Sequence, residues 1–174
     1  MPLIPVLSLM ERKGIKIDVS YFKNYSSELE KELAKIEKAI YEEAGEEFNI
    51  NSPKQLGDIL FVKRNLPSGK KTKTGYSTDV MDLEDLESYG YNIARLLLDY
   101  RKLNKVKTTY VDTLPNLVDS NSRIHTSFNQ IGTATGRLSS SEPNLQNIPV
   151  KTDDGIKIRE GFVAEEGKVL MSID

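Results

Sequence analysis

Along the first half of the chain the apolar positions recur at helical spacing. Phe22, Tyr25, Leu29, Leu33, Ile36 and Ile40 follow one another at three or four residues, the signature of one buried face of an amphipathic helix. Asp18 or Ser20 can cap its start, and Gly45 suits its end, which gives a helix of about seven turns. Asn51-Ser52-Pro53 is a second start signal, with Ser52 as cap and Pro53 in the first turn, ahead of Leu56, Ile59 and Leu60. "NLPSGKKTKTGYSTD", Asn65 to Asp79, has little to bury and predicts an exposed loop. From Tyr91 a third pattern places Ile93, Leu96, Leu97, Tyr100, Leu103, Val106, Tyr110 and Leu114 on one broad face, until Pro115 kinks or ends it.

Past Asn121 the period shortens. "RIHTSFNQ", Arg123 to Gln130, alternates imperfectly, with Ile124, Thr126 and Phe128 on one side. "KVLMSID", Lys168 to Asp174, reads as a buried strand ending in a carboxylate. The expected fold is α+β: mainly helical first, then the incomplete start of an antiparallel sheet, with the change of character at Val118 to Asn121. There is no internal repeat or low-complexity tract.

Composition narrows the classes. In 174 residues, 38% are hydrophobic and 29% charged, which suits a chain with solvated helices and argues against disorder or a membrane protein. The absence of Cys excludes disulfides and thiolate metal sites. "MPLIPVLSLMERKG" places its charges after a short, Pro-broken apolar stretch, the reverse of a secretory signal, so a cytoplasmic location is expected. The net charge of −2 conceals segregation: Ser26 to Phe48 carries eight Glu against three Lys, whereas Lys54 to Asp79 carries six Lys or Arg against two Asp. "RKLNKVKTTY", Arg101 to Tyr110, adds four cations and no acid. Arg101, Lys105 and Thr108 follow at helical spacing, so a helix would align them in a stripe whose chemistry suits phosphate oxygens. Charge alone favours a solvated face, yet clustered cations on a mildly acidic chain also suit a localised polyanion contact.

"ATGRLSSSEPNLQNIP", Ala134 to Pro149, gathers one guanidinium, hydroxyls and three carboxamides. In duplex DNA every base pair presents minor-groove acceptors that carry almost no sequence information. Neutral donors and an Arg, here Arg137, Asn144, Gln146 and Asn147, would test pair shape without reading sequence. The competing reading, ahead on physics alone, is a loop whose Asx and Ser turns bond their own backbone.

At these residues the chain resembles family A DNA polymerases. "TATGRLSSSEPNLQNIP" is similar to the run that opens the palm of that family. "PLIPVLSLMERKGIKID", "FNINSPKQLGDILF", "KTKTGYSTD" and "LLLDYRKLNKVKTTYVDTLP" resemble the lead-in, the thumb tip and the long thumb helix, in family order. The resemblance implies a lead-in at the palm base over residues 1–19, a helical thumb over 20–119 with a basic tip loop at about 63–79, and the first part of the palm over 120–174. It places Ser77 and Thr78 at phosphate, Arg101 and Lys105 on the duplex, and Arg137 with Asn144, Gln146 and Asn147 at the minor groove near the primer terminus. Asp174 matches the first palm carboxylate, which would bind both Mg²⁺ ions of a nucleotidyl transfer. For His125, the only histidine, a structural hydrogen bond is expected over proton transfer.

The implied function is that of part of a template-directed DNA polymerase. Its partners are primer-template duplex, with deoxynucleoside triphosphates in the complete enzyme, and no membrane. The alternatives are a non-catalytic duplex-binding module, or half of a split polymerase whose partner polypeptide carries the remaining palm and the fingers. A helical protein-binding scaffold would show no DNA affinity. Both termini read as interruptions of a longer chain, and with one metal ligand the 174-residue chain by itself is expected not to synthesise DNA.

Overall fold

The computed structural model describes residues 2–67, 71–72 and 75–171. The chain divides into two compact units, one formed by Met1–Ser27 with Val106–Asp174 and the other by Glu28–Lys105. The units therefore part at 27/28 and 105/106, whereas the sequence places its change of character near residue 119.

The discontinuous unit opens with α1 (Leu3–Lys13). Pro2 and Pro5 do not prevent it, because the first backbone N–H groups of a helix have no intrahelical acceptor. Gly14 ends α1 at φ 62°, its N–H bonded to Met10 O at 2.8 Å. A Cβ here would overlap the Ile124 carbonyl, so glycine is what lets the next strand approach. That strand, β1 (Ile15–Lys16), pairs antiparallel with β4 (Arg123–Ile124), Ile15 facing Ile124 and Lys16 facing Arg123. Its other edge is taken too: Val163 N–H donates to Lys16 O at 3.0 Å, and Ile17 bridges Phe162.

Helix α2 (Val19–Ala44) begins where Asp18 accepts from the Tyr21 N–H at 2.9 Å and stops before Gly45 at φ 82°, both as the sequence predicts. Phe22, Tyr25, Leu29, Leu33 and Ile40 are buried, and Ile36 is half-buried.

In the continuous unit, Ser52 caps α3 (Pro53–Gly57) by accepting from Gln55 N–H, and a π-helical turn, Asp58–Lys63, follows it. The predicted loop contains a short hairpin, β2 (Lys71–Thr72) with β3 (Gly75–Tyr76). Helix α4 (Val80–Ser88), not foreseen, is capped by Asp79 and buries Leu83 and Leu86. Helix α5 (Asn92–Val106) buries Ile93, Ala94, Leu97, Tyr100, Leu103 and Val106.

After Val106 the chain leaves α-helical register. A π-helical turn at Lys107–Val111, marked by Asp112 N–H donating to Lys107 O at 2.9 Å, precedes a 3₁₀ turn at Leu114–Asn116 that contains Pro115. The stripe drawn through Arg101, Lys105 and Thr108 thus loses its register before Thr108. "RIHTSFNQ" forms two pieces: β4, and β5 (Ser127–Asn129), which pairs with β6 (Ser139–Ser141). Helix α6 (Asp153–Glu160), also unforeseen, is capped by Thr152, with Asp153 and Asp154 in its first turn and Lys157 and Arg159 in its last.

The expected strand "KVLMSID" is corrected over its described part. Residues 168–171 form no strand, and Val169 and Met171 are 83% and 76% exposed. An apolar segment becomes a strand only where a partner supplies backbone hydrogen bonds. Both edges of β1 are occupied. The fold is α+β, with three two-stranded antiparallel ladders among the described residues.

Candidate nucleic-acid interface

Each unit carries one group of the residues singled out by sequence. In the continuous unit, Arg101 on α5 donates from Nη1 to Thr78 O and from Nη2 to Thr78 Oγ1 at 3.2 Å. Burial holds its pKa below the ordinary guanidinium value, with Asp79 opposing that shift. Thr78 is buried, while Ser77 is half-buried and accepts from Asp79 N–H at 3.4 Å. The sequence expects Arg101 and Thr78 to face a ligand directly. In the structure they first hold each other, because a half-buried guanidinium must satisfy its donors locally. Arg101 still borders a cleft of about 700 Å³ with Ser52, Lys54, Gly57, Ser77 and Thr78. Lys54 was not singled out by sequence, although it follows the Ser52-Pro53 start signal by one residue.

The other cations sort by what they touch. Lys63 pairs with Glu46, Arg64 with Glu43 at 3.5 Å, and Lys107 with Asp112 at 2.8 Å. Lys105 is exposed and makes no ion pair with the described residues.

In the discontinuous unit the β5–β6 hairpin carries the second group. Its connecting loop holds Arg137, exposed, whose carbonyl accepts from Thr133 Oγ1 at 2.6 Å. Ser140 on β6 is buried and saturated: its Oγ accepts from Leu145 N–H at 3.1 Å and Gln146 N–H at 3.3 Å and donates to Asn144 Oδ1 at 3.2 Å. Asn144 Oδ1 also accepts from Gln146 N–H at 3.0 Å, an Asx turn. The Tyr110 hydroxyl donates to Asn147 O at 2.7 Å, Ile148 is buried, and Arg159 donates to Ile148 O and Pro149 O, each at 3.3 Å. Gly155 on α6 lies so close that a Cβ would overlap the Pro149 carbonyl oxygen.

The loop reading is therefore correct for Ser140 and for the Asn144 oxygen. For Arg137, Gln146 and Asn147 only the backbone is engaged: their side chains are exposed and make no hydrogen bond with the described residues. A backbone pinned at five successive points, Leu145 to Pro149, presents the side chains of Gln146 and Asn147 outward. Sequence reasoning missed the residues that do the pinning, Tyr110 and Arg159. For Tyr110 the available signal was a hydroxyl on a face that is apolar apart from it and Tyr100.

His125 is engaged on both ring nitrogens, Nδ1 lying 2.7 Å from Glu11 O and Nε2 3.2 Å from Asp119 Oδ2. These partners, the carbonyl first, raise its pKa. That is a structural role. Asp174 lies outside the described residues, and among the described residues no group of three His, Cys, Asp or Glu side chains could hold a metal ion. No helix among the described residues is long and apolar enough to cross a membrane.

The sequence model of DNA polymerase family A matches residues 19–174. DNA polymerase I of Caldicellulosiruptor bescii is 55% identical over 174 residues, covering 99% of this chain and 20% of that protein. DNA polymerase I of Rhizobium leguminosarum is 51% identical over 175 residues, covering 99% of this chain and 17% of that protein. The solved POL domain of Pol1 from M. smegmatis, in complex with DNA primer-template and dNTP, superposes with a TM-score of 0.83 at 46% identity, over 92% of this chain and 28% of that one. The chain thus spans about a fifth of the length of these relatives. With a family match that runs from the first residue of α2 to the end of the chain, the protein belongs to DNA polymerase family A.

Proposed function

We propose that this chain is the duplex-gripping part of a template-directed DNA polymerase. Arg137, Gln146 and Asn147, with the free amide nitrogen of Asn144, face the minor groove near the primer terminus. Ser77, Thr78, Arg101 and Lys105 meet backbone phosphates, with Lys54 at the same cleft. The observation that carries this reading is the loop at residues 144–149, whose backbone is fixed while its neutral donors stay unspent. Such donors suit acceptors that all base pairs share. The solved relative holds primer-template and dNTP, which supports the same partners here.

The reaction is nucleotidyl transfer. When bound, two Mg²⁺ ions would activate the 3′ hydroxyl and steady the leaving pyrophosphate. Asp174 is the one residue here assigned to them. A single carboxylate does not make up the ligand set that two ions need, and no step of this reading runs through them. What this chain contributes is grip and alignment, which dominate catalysis of phosphoryl transfer.

Fluorescence anisotropy of the chain on labelled duplex DNA, across a salt series, tests the reading. Lys105→Ala should weaken binding to all sequences alike and flatten the slope of log K against log salt by about 0.9, the value of one lost phosphate contact. Absence of duplex binding, or a slope unchanged by Lys105→Ala, overturns it.

A further inference from the structure

We infer that Tyr110 is a positioning residue for the minor-groove loop: its hydroxyl fixes the Asn147 carbonyl and thereby sets the outward aim of Gln146 and Asn147. The inference rests on the proposed duplex-gripping function of that loop. Three observations carry it. The ring is buried, 7% exposed, and its hydroxyl reaches Asn147 O at 2.7 Å, a normal O–H···O length, across 37 residues of sequence.

It also lies in a departure from regular helix, the π turn Lys107–Val111, in which Tyr110 and Val111 are both buried. Such departures often accompany functional positions. Lastly, the bond falls where nothing else among the described residues holds the chain. Ser140 and Asn144 grip the N–H groups of Leu145 and Gln146, and Arg159 grips the carbonyls of Ile148 and Pro149. Asn147, between them, has the tyrosine alone among the described residues. Burial raises the pKa of the phenol, so it remains a donor at the pH at which duplex DNA is handled.

The test is a double-mutant cycle on duplex affinity with Tyr110→Phe, which keeps the ring, and Gln146→Ala, read together with amide exchange. Gln146→Ala should weaken binding, and Tyr110→Phe should weaken it by about three- to tenfold, the worth of one hydrogen bond. The double variant should lose less than the sum of the two single losses, because part of the tyrosine's effect runs through Gln146 and the rest through Asn147. In Tyr110→Phe the amides of residues 145–148 should exchange faster while those of α2 and α6 keep their rates. Additive losses overturn the inference, as does a Tyr110→Phe chain that binds normally while Gln146→Ala does not. If Gln146→Ala leaves affinity unchanged, the duplex assignment of the loop has failed instead. Loop exchange then decides alone: faster exchange in Tyr110→Phe supports positioning, and unchanged exchange overturns it.

Discussion

The tip of the continuous unit and the loop of the discontinuous unit solve opposite problems with similar residues. At the tip a cation turns inward, Arg101 giving two N–H groups to Thr78, so a side chain holds a backbone. In the loop the backbone of residues 145–149 is held by Ser140, Asn144, Tyr110 and Arg159, and side chains are released. The difference teaches how to tell a gripping residue from a supporting one. A polar side chain is available to a partner only if the local structure does not already need it. By that criterion Gln146 and Asn147 are wholly available, Asn144 and Arg101 in part.

The contrast can be broken at either end. The largest effect is expected from Gly155→Ala, because the added methyl would overlap the Pro149 carbonyl and force α6 and the loop apart. Such overpacking against backbone costs about 3 kcal/mol. Urea denaturation should show that loss, and duplex affinity should fall with it. Retained stability would mean that α6 does not fix the loop.

Arg101 sharpens the other side. Arg101→Ala leaves the buried Thr78 carbonyl without its donor, at a cost of about 1–3 kcal/mol. Arg101→Lys should lose nearly as much, since an ammonium cannot reproduce the two-pronged contact. Were Arg101 only a phosphate contact, lysine would substitute well and stability would not change. Denaturation midpoints of the two variants, measured without DNA, separate the cases.

The smallest effect is a pH dependence confined to the discontinuous unit. Hydrogen bonds that His125 donates to Glu11 O and Asp119 raise its folded pKa above 6.5, with desolvation and then Arg123 opposing. Its contribution is therefore complete below pH 6.5 and is lost as pH rises through the higher folded value. Asp119 runs the other way. The backbone N–H of Arg123, followed by His125, lowers its pKa below 3.8, so its contribution holds above 3.8 and is lost as pH falls through the folded value. Thermal melts should show this corner firmest between the two limits, and His125→Gln should remove the upper loss. An unaltered profile in that variant would separate the histidine from the effect.

Much of the fold was legible because its signals are local. Asp18, Gly45 and the Ser52-Pro53 start all act within four residues of themselves. Helices α1, α4 and α6 were not legible for equally local reasons. Pro2 and Pro5 masked α1, Gly155 lowered the apparent helicity of α6, and α4 fell in the stretch between the loop ending at Asp79 and the pattern starting at Tyr91, to which no element was assigned. In the site, residue types were readable and directions were not. That Arg101 turns inward depends on Thr78, 23 residues away, and that Asn147 is pinned depends on Tyr110, 37 residues away. No periodicity encodes such pairings.

The β1–β4 ladder has a consequence for how the chain assembles. Ile15 meets Ile124, and Arg123 caps Gly14 O at 2.9 Å, so the discontinuous unit closes only after about a hundred intervening residues have been spanned. Residues 28–105, by contrast, close their contacts among themselves. Thermodynamically the continuous unit is a long insertion whose ends are tied by that ladder. The entropy of closing it grows only logarithmically, and doubling its length would cost about 0.6 kcal/mol. The discontinuous unit can therefore accept an insertion of quite different length at little expense to itself, while its sequence-distant contacts, the β1–β4 ladder and the still longer-range bond from Val163 N–H to Lys16 O, are of the kind that form slowly.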